Sequence, residues 1–65
     1  MKFENIKVGM KLQHKESGLY YDVIDSGCKY FQYFVLNGYY YDGGMESRRI
    51  YKDIDDAKLF TNARG

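Results

Sequence analysis

The sequence predicts a small, mostly β fold of about five strands, in an antiparallel sheet or a closed barrel, followed by a short C-terminal helix. Three observations carry that prediction. Apolar and polar residues alternate near the start, and β-branched and aromatic runs separated by Gly-bearing turns fill the middle. Only near the C-terminus do apolar residues recur every three positions. With 65 residues, eight Tyr, four Phe and no Pro, the chain has the apolar content of a folded domain. A chain this short hides only about 60% of its unfolded surface, so the core is thin.

From Ile6, the residues Ile6, Val8, Met10 and Leu12 alternate with Lys7, Gly9, Lys11 and Gln13, a period of two that predicts a first strand over 6–13. Lys15, Glu16, Ser17 and Gly18 read as a turn. Tyr20, Tyr21, Val23 and Ile24 then predict a second strand over 19–25. A turn at Asp25, Ser26 and Gly27 leads to a third strand over 29–36, apolar on both faces and so expected at the centre of the sheet. Asn37-Gly38, flanked by Phe34, Val35 and Leu36 and by Tyr39, Tyr40 and Tyr41, predicts a type I′ hairpin, because both residues tolerate positive φ. A fourth strand follows over 39–42, and Asp42, Gly43 and Gly44 turn the chain again. The fifth strand, over 46–51, reads as an edge, its Arg48 and Arg49 discouraging edge-to-edge pairing. Asp53 predicts the cap of a helix near 54–62. Asp55 and Asp56 lie in its first turn, and Ile54, Ala57 and Phe60 pack on the sheet.

Ten Lys and Arg against nine Asp and Glu leave a formal charge of +1, so no global field steers the protein to a polyanion or a membrane surface. Cys28 is the single cysteine, which excludes an internal disulfide or a thiolate zinc cluster and points to a reducing cytoplasm. The opening MKFENIKVGMK lacks the apolar core of a signal peptide, and no stretch approaches the roughly 20 apolar residues of a membrane helix. A soluble single domain without membrane contact is the expectation.

No residue cluster spells out a reaction. His14 is the only histidine and reads as an exposed strand end, with no second ligand at metal-binding spacing. Cys28 has no base beside it in sequence and reads as a small buried residue. Asp53, Asp55 and Asp56 have the chemistry to hold magnesium, but helix capping already accounts for them. Gly43-Gly44 lacks the Lys and Ser or Thr of a phosphate loop. No catalytic centre, metal or cofactor is expected. A metal-dependent enzyme would need the Asp cluster and His14 to converge.

The patch with the most recognition chemistry joins Tyr39, Tyr40 and Tyr41 to Arg48 and Arg49, with Tyr20 from the second strand. A two-residue turn at Gly43-Gly44 would set Tyr39 opposite Arg48, Tyr40 opposite Ser47 and Tyr41 opposite Glu46. Tyr and Arg bury large areas, stack and offer polar tips, and they also stack bases and neutralise phosphates. The same residues equally stabilise a sheet without any ligand. Lys7, Lys11 and Lys15 form a second, solvated face.

Residues 6–25, IKVGMKLQHKESGLYYDVID, resemble the opening hairpin of small five-stranded barrels of the Src-homology-3, Tudor and KOW type. A Val-Gly turn-in, a short strand, a polar loop with Gly and an aromatic second strand follow in the same order. The resemblance implies a binding domain that engages a peptide, a modified side chain or a nucleic acid, with Tyr20, Tyr21, Tyr39, Tyr40 and Tyr41 as aromatic contacts. The C-terminal helix departs from that pattern. A reading frame this short also resembles accessory proteins of bacteriophages and mobile elements, which block or redirect a larger host or defence protein. The expected function is a non-enzymatic protein-binding module of that kind. The alternative is a nucleic-acid-binding module using Arg48, Arg49, Lys52 and the nearby tyrosines. A homodimer formed through an aromatic face or an edge strand is compatible with both.

Overall fold

A computed structural model describes residues 1–63. A 3-10 turn at Phe3–Asn5 precedes β1 (Lys11–His14), β2 (Tyr20–Cys28), β3 (Gln32–Tyr39) and β4 (Met45–Tyr51). A second 3-10 turn at Asp56–Leu59 runs directly into β5 (Phe60–Asn62). All pairings are antiparallel, and the single five-stranded sheet has the order β4-β3-β2-β1-β5. The edges are therefore β4 and β5. Yet Ile50 from β4 and Phe60 from β5 share one buried cluster with Leu12, Tyr21, Val23 and Leu36. The sheet must curl until the inward side chains of its two edges meet, and Ala57 of the second 3-10 turn, also buried, lies between them in sequence and in the cluster. No helix among the described residues is long and apolar enough to cross a membrane.

The mostly β class and the count of five strands hold, but the chain is divided differently. The expected strand over 6–13 shortens to β1, because Gly9 takes φ 98° and the Met10 amide bonds back to the Lys7 carbonyl at 3.2 Å. Alternation across Ile6–Met10 thus reflects a turn that buries Ile6 and exposes Val8. The turn expected at Asp25, Ser26 and Gly27 is absorbed into β2, which runs to Cys28 with a bulge between Val23 and Asp25. Ile24 is the extra residue and points to solvent.

The Asn37-Gly38 hairpin does not form. Both residues lie inside β3, opposite Ser47 and Glu46 on β4, and the chain reverses at Tyr40–Gly44 instead. There Gly43 takes φ 90° and donates to the Tyr40 carbonyl at 3.1 Å. The Asp42 carboxylate accepts the Gly44 amide at 2.9 Å. Asp42 thus satisfies the backbone of its own turn, while Asn37-Gly38 stays in the ladder, where Gly38 lies under the Tyr21 ring. The expected strand over 39–42 thereby becomes the end of β3 and this turn.

The predicted helix near 54–62 is also replaced. Isolated helices under about 12 residues are marginal, and Thr61 and Asn62 are weak helix formers. The spacing of three shared by Ala57 and Phe60 fits a 3-10 turn. Edge bonding to β1 then stabilises an extended end, with Lys15 N–H donating to Leu59 C=O and Ala63 N–H to Lys11 C=O, each at 2.9 Å. Asp53 caps nothing. Asp55 precedes the turn at φ 59°, a left-handed conformation that Asp tolerates better than most residues.

Gly38 explains how the inner face closes. It sits between Tyr21 on β2 and Glu46 on β4 in one row across the sheet. A side chain at Gly38 would overlap the Tyr21 ring, which lies flat across this position. On the opposite face the Tyr33 ring covers Gly27, its cross-strand partner, in the same way. Each glycine provides a flat backbone bed for an aromatic ring, a device that pins strand register.

Candidate functional site

β4 decides which chemistry faces where, because its side chains alternate. Glu46, Arg48 and Ile50 point inward, and Met45, Ser47, Arg49 and Tyr51 point outward. The two arginines expected to act together therefore occupy opposite faces. Tyr39 pairs with Met45, Leu36 with Arg48 and Val35 with Arg49. This replaces the Tyr39–Arg48 pairing expected from sequence.

Arg48 belongs to an inner network. Its guanidinium lies 5.5 Å from the Phe60 ring centroid, joining the two edges of the curled sheet. Phe60 also meets the Tyr21 ring at 5.5 Å and the His14 ring at 5.1 Å, both edge-on. His14 is buried, contrary to the exposed strand end expected for it, because its ring packs on Phe60 and its Nδ1 accepts the Ser17 amide at 3.3 Å. The Tyr21 hydroxyl donates to one oxygen of Glu46, and the Tyr40 hydroxyl donates to the other at 2.6 Å. The bonds from Tyr21 and then Tyr40 hold the Glu46 carboxyl below its ordinary value. Burial first, then the Glu46 bond, raises the Tyr21 phenol, and for Tyr40 the Glu46 bond comes first. Tyr40 and Arg48 are thus tied into the scaffold.

The outer face carries a different set. The Arg49 guanidinium stands 5.0 Å from the Tyr33 ring centroid, and Tyr33 meets Tyr51 at 5.6 Å. The neighbouring Tyr51, first among the causes, raises the Arg49 guanidinium above its already high ordinary value. Beyond this row the β2–β3 connection projects Lys29, Tyr30 and Phe31. Lys29 Nζ lies 5.8 Å from the Tyr30 ring, which is 84% exposed. A cleft of about 310 Å³ is lined by Lys29, Tyr30, Phe31, Tyr33, Arg49 and Tyr51. A second, of about 330 Å³ and largely apolar, lies between Phe31, Tyr51, Asp53 and Ile54. Phe31 and Tyr51 line both, so the two clefts form one continuous surface.

Of the residues proposed from sequence, this surface retains Arg49 alone. Tyr20 and Tyr39 are half-exposed on the outer face at the opposite end of the sheet, where Tyr39 neighbours Met45. Tyr41 is 98% exposed at the tip of the β3–β4 turn. Cys28 is exposed, against the buried position expected, because β2 carries it to the sheet's end. Asp53, Asp55 and Asp56 do not gather with His14: among the described residues no three His, Cys, Asp or Glu side chains form a group able to hold a metal ion. Tyr30, Phe31, Tyr33, Tyr51 and Ile54 went unrecognised. For Tyr30, Phe31 and Tyr33 the available signal was the apolar character of both faces of 29–36, which one thin core has no room to bury.

Comparison with protein-family models, curated proteins and solved structures finds no match to this chain.

Proposed function

We propose that this chain is a non-enzymatic protein-binding module that engages its partner through the outer surface built by Phe31, Tyr33, Arg49, Tyr51 and Ile54, with Lys29 and Tyr30 at its rim. The observation that carries this reading is the exposed run of large apolar side chains, Tyr30, Phe31 and Ile54, around two joined clefts. Exposed apolar surface rimmed by charge marks interaction sites, and aromatic residues with Arg dominate binding hot spots. On the inner face Tyr21 and Tyr40 are spent on Glu46, which leaves the outer face as the one with the larger share of unpartnered aromatic side chains. A five-stranded sheet whose last strand returns beside its first supports the likeness to small Src-homology-3, Tudor and KOW barrels. In this reading the module acts by occupying a surface of a larger protein in a reducing cytoplasm, as small phage or mobile-element proteins do.

The test is retention of partners from native lysate by tagged wild type and by a Phe31→Ser, Arg49→Ser variant that melts like wild type. Loss of a retained protein in the variant is the expected result. Equal retention of every protein removes the reading.

One observation favours a second reading, nucleic-acid binding: Lys29 over Tyr30 and Arg49 over Tyr33 set two cation–aromatic pairs on the same surface. Such pairs stack unpaired bases and neutralise phosphates. That reading requires affinity for oligonucleotides that falls steeply with salt. Absence of binding at low salt eliminates it.

A further inference from the structure

The free edge of β4 is the second surface with unused bonding capacity. Gln32 accepts from Lys52 N–H at 3.0 Å and Gly44 accepts from Tyr40 N–H at 2.8 Å, which fixes the phase of the β3–β4 ladder. Residues 46, 48 and 50 bond to β3, and the N–H and C=O groups of Met45, Ser47, Arg49 and Tyr51 face away from it. Among the described residues these four make no other backbone bond. The edge spans seven residues and lacks proline. An unpaired edge of this kind is a template for another strand.

We infer that β4 pairs antiparallel with β4 of a second copy, about a two-fold axis at Ser47. Side-chain charge selects this register. Two-folds at Glu46, Arg48 or Arg49 set identical charges face to face, and one at Ile50 sets Arg48 against Lys52. A two-fold at Ser47 sets Glu46 opposite Arg48 of the partner copy, twice, and Met45 opposite Arg49. The arginines, which discourage the registers about Glu46, Arg48, Arg49 and Ile50, complement this one, and two-folds at Met45 or Tyr51, the ends of β4, pair no other residues of the strand with one another. The Glu46–Arg48 positions are non-hydrogen-bonded pairs, the closely spaced kind in which side chains meet. The Glu46 carboxylate already accepts from Tyr21 and Tyr40, and a carboxylate has room for further donors. Ser47 pairs with itself and Met45 with Arg49 through the outward backbone groups. Only Met45–Arg49 are needed, so the Tyr51 end of β4, from which the chain turns toward the second 3-10 turn, stays outside the contact. Five paired residues form a small interface, and the dimer dissociates on dilution. It shares Arg49 with the outer clefts, but its test acts at Ser47, which lines neither of them.

Sedimentation equilibrium of the wild type from ~10 μM to ~1 mM, the weak end of specific association, is expected to show an average mass rising toward twice the monomer. Ser47→Pro removes an N–H that β3 does not use, a position where an edge strand accepts proline, and is expected to stay monomeric throughout. A Cys28→Ser, Ser47→Cys variant adds an independent readout. Directly opposed residues of a hydrogen-bonded pair have Cα atoms about 5.5 Å apart, within disulfide range. Oxidation is expected to trap a covalent dimer far faster than in a Cys28→Ser, Ser17→Cys control. A wild type that remains monomeric at ~1 mM overturns the inference, as does a folded Ser47→Pro variant that dimerises like wild type. If Ser47→Pro does not fold, the cysteine pair decides, and trapping no faster than in the control overturns it.

Discussion

Replacing Gly38 with Ala tests whether that glycine exists for a turn or for the ring above it. The added Cβ falls within the Tyr21 ring. That ring has little freedom to move, since Tyr21 is 1% exposed, meets Phe60 edge-on and is tied through its hydroxyl to Glu46. Overpacking of this kind costs about 1–3 kcal/mol. The stiffer unfolded chain of the variant returns about 0.4–1 kcal/mol, leaving a net loss of up to about 2.6 kcal/mol. For a domain of this size each kcal/mol moves the melting midpoint by about 4–8 °C. Thermal unfolding followed by circular dichroism reads the effect, in wild type and in a Tyr21→Leu background. Removing the ring makes room, so Gly38→Ala is expected to be neutral or stabilising there, a coupling equal to the overpacking cost of about 1–3 kcal/mol. An equal loss in both backgrounds refutes the reasoning, since it assigns the cost to the backbone, as a positive-φ hairpin would.

Acid and alkaline titrations read the Glu46 network from both sides. The Glu46 carboxyl is held below its ordinary value, so its contribution is complete above about pH 4.3 and is lost as the pH falls toward the lower folded value. Tyr21 and Tyr40 are raised, so theirs is complete below about pH 10 and is lost as the pH climbs beyond it. Urea midpoints measured against pH are expected to flatten on the acid side in Glu46→Gln, and unchanged acid curvature counts against the network. Phe60→Ala removes the ring shared by His14, Tyr21 and Arg48 and is expected to cost about 3–5 kcal/mol, which urea unfolding detects as a collapse of the midpoint. Tyr41→Ser, at the bare tip of the turn, is expected to change stability by less than about 0.5 kcal/mol in the same assay.

The strand content was legible in the sequence because β-branched and aromatic residues dominate the middle of the chain. The identity of β4 as a charged edge was equally legible, since Arg48 and Arg49 sit on a strand that has only one neighbour. Glycine was the misleading residue. Gly27 and Gly38 read as turns, yet each lies under an aromatic ring from the neighbouring strand, and that demand comes from residues six and seventeen positions away. The C-terminal segment misled for a related reason. Ile54, Ala57 and Phe60 suit a helix locally, but bonding to β1 is a long-range gain no local window contains. Face assignment failed at the bulge and at the displaced hairpin, because one residue of slippage exchanges inside for outside. Alternation along β4 by itself parts Arg48 from Arg49, and the displaced hairpin moves the candidate surface from Tyr39–Tyr41 to Phe31, Tyr33 and Tyr51.

The division of labour between those two arginines is the centre of this account, and the melting midpoints of Arg48→Ala and Arg49→Ala test it directly. Arg48 spans the seam between the sheet edges onto Phe60, and its loss is expected to cost about 1–2 kcal/mol, a drop of roughly 4–16 °C. Arg49 stands in solvent on Tyr33, and its loss is expected to cost no more than about 0.5–1 kcal/mol. A clearly lower midpoint for Arg48→Ala is the predicted result. A midpoint for Arg49→Ala as low as that of Arg48→Ala, or lower, would contradict the assignment of one arginine to the scaffold and the other to recognition.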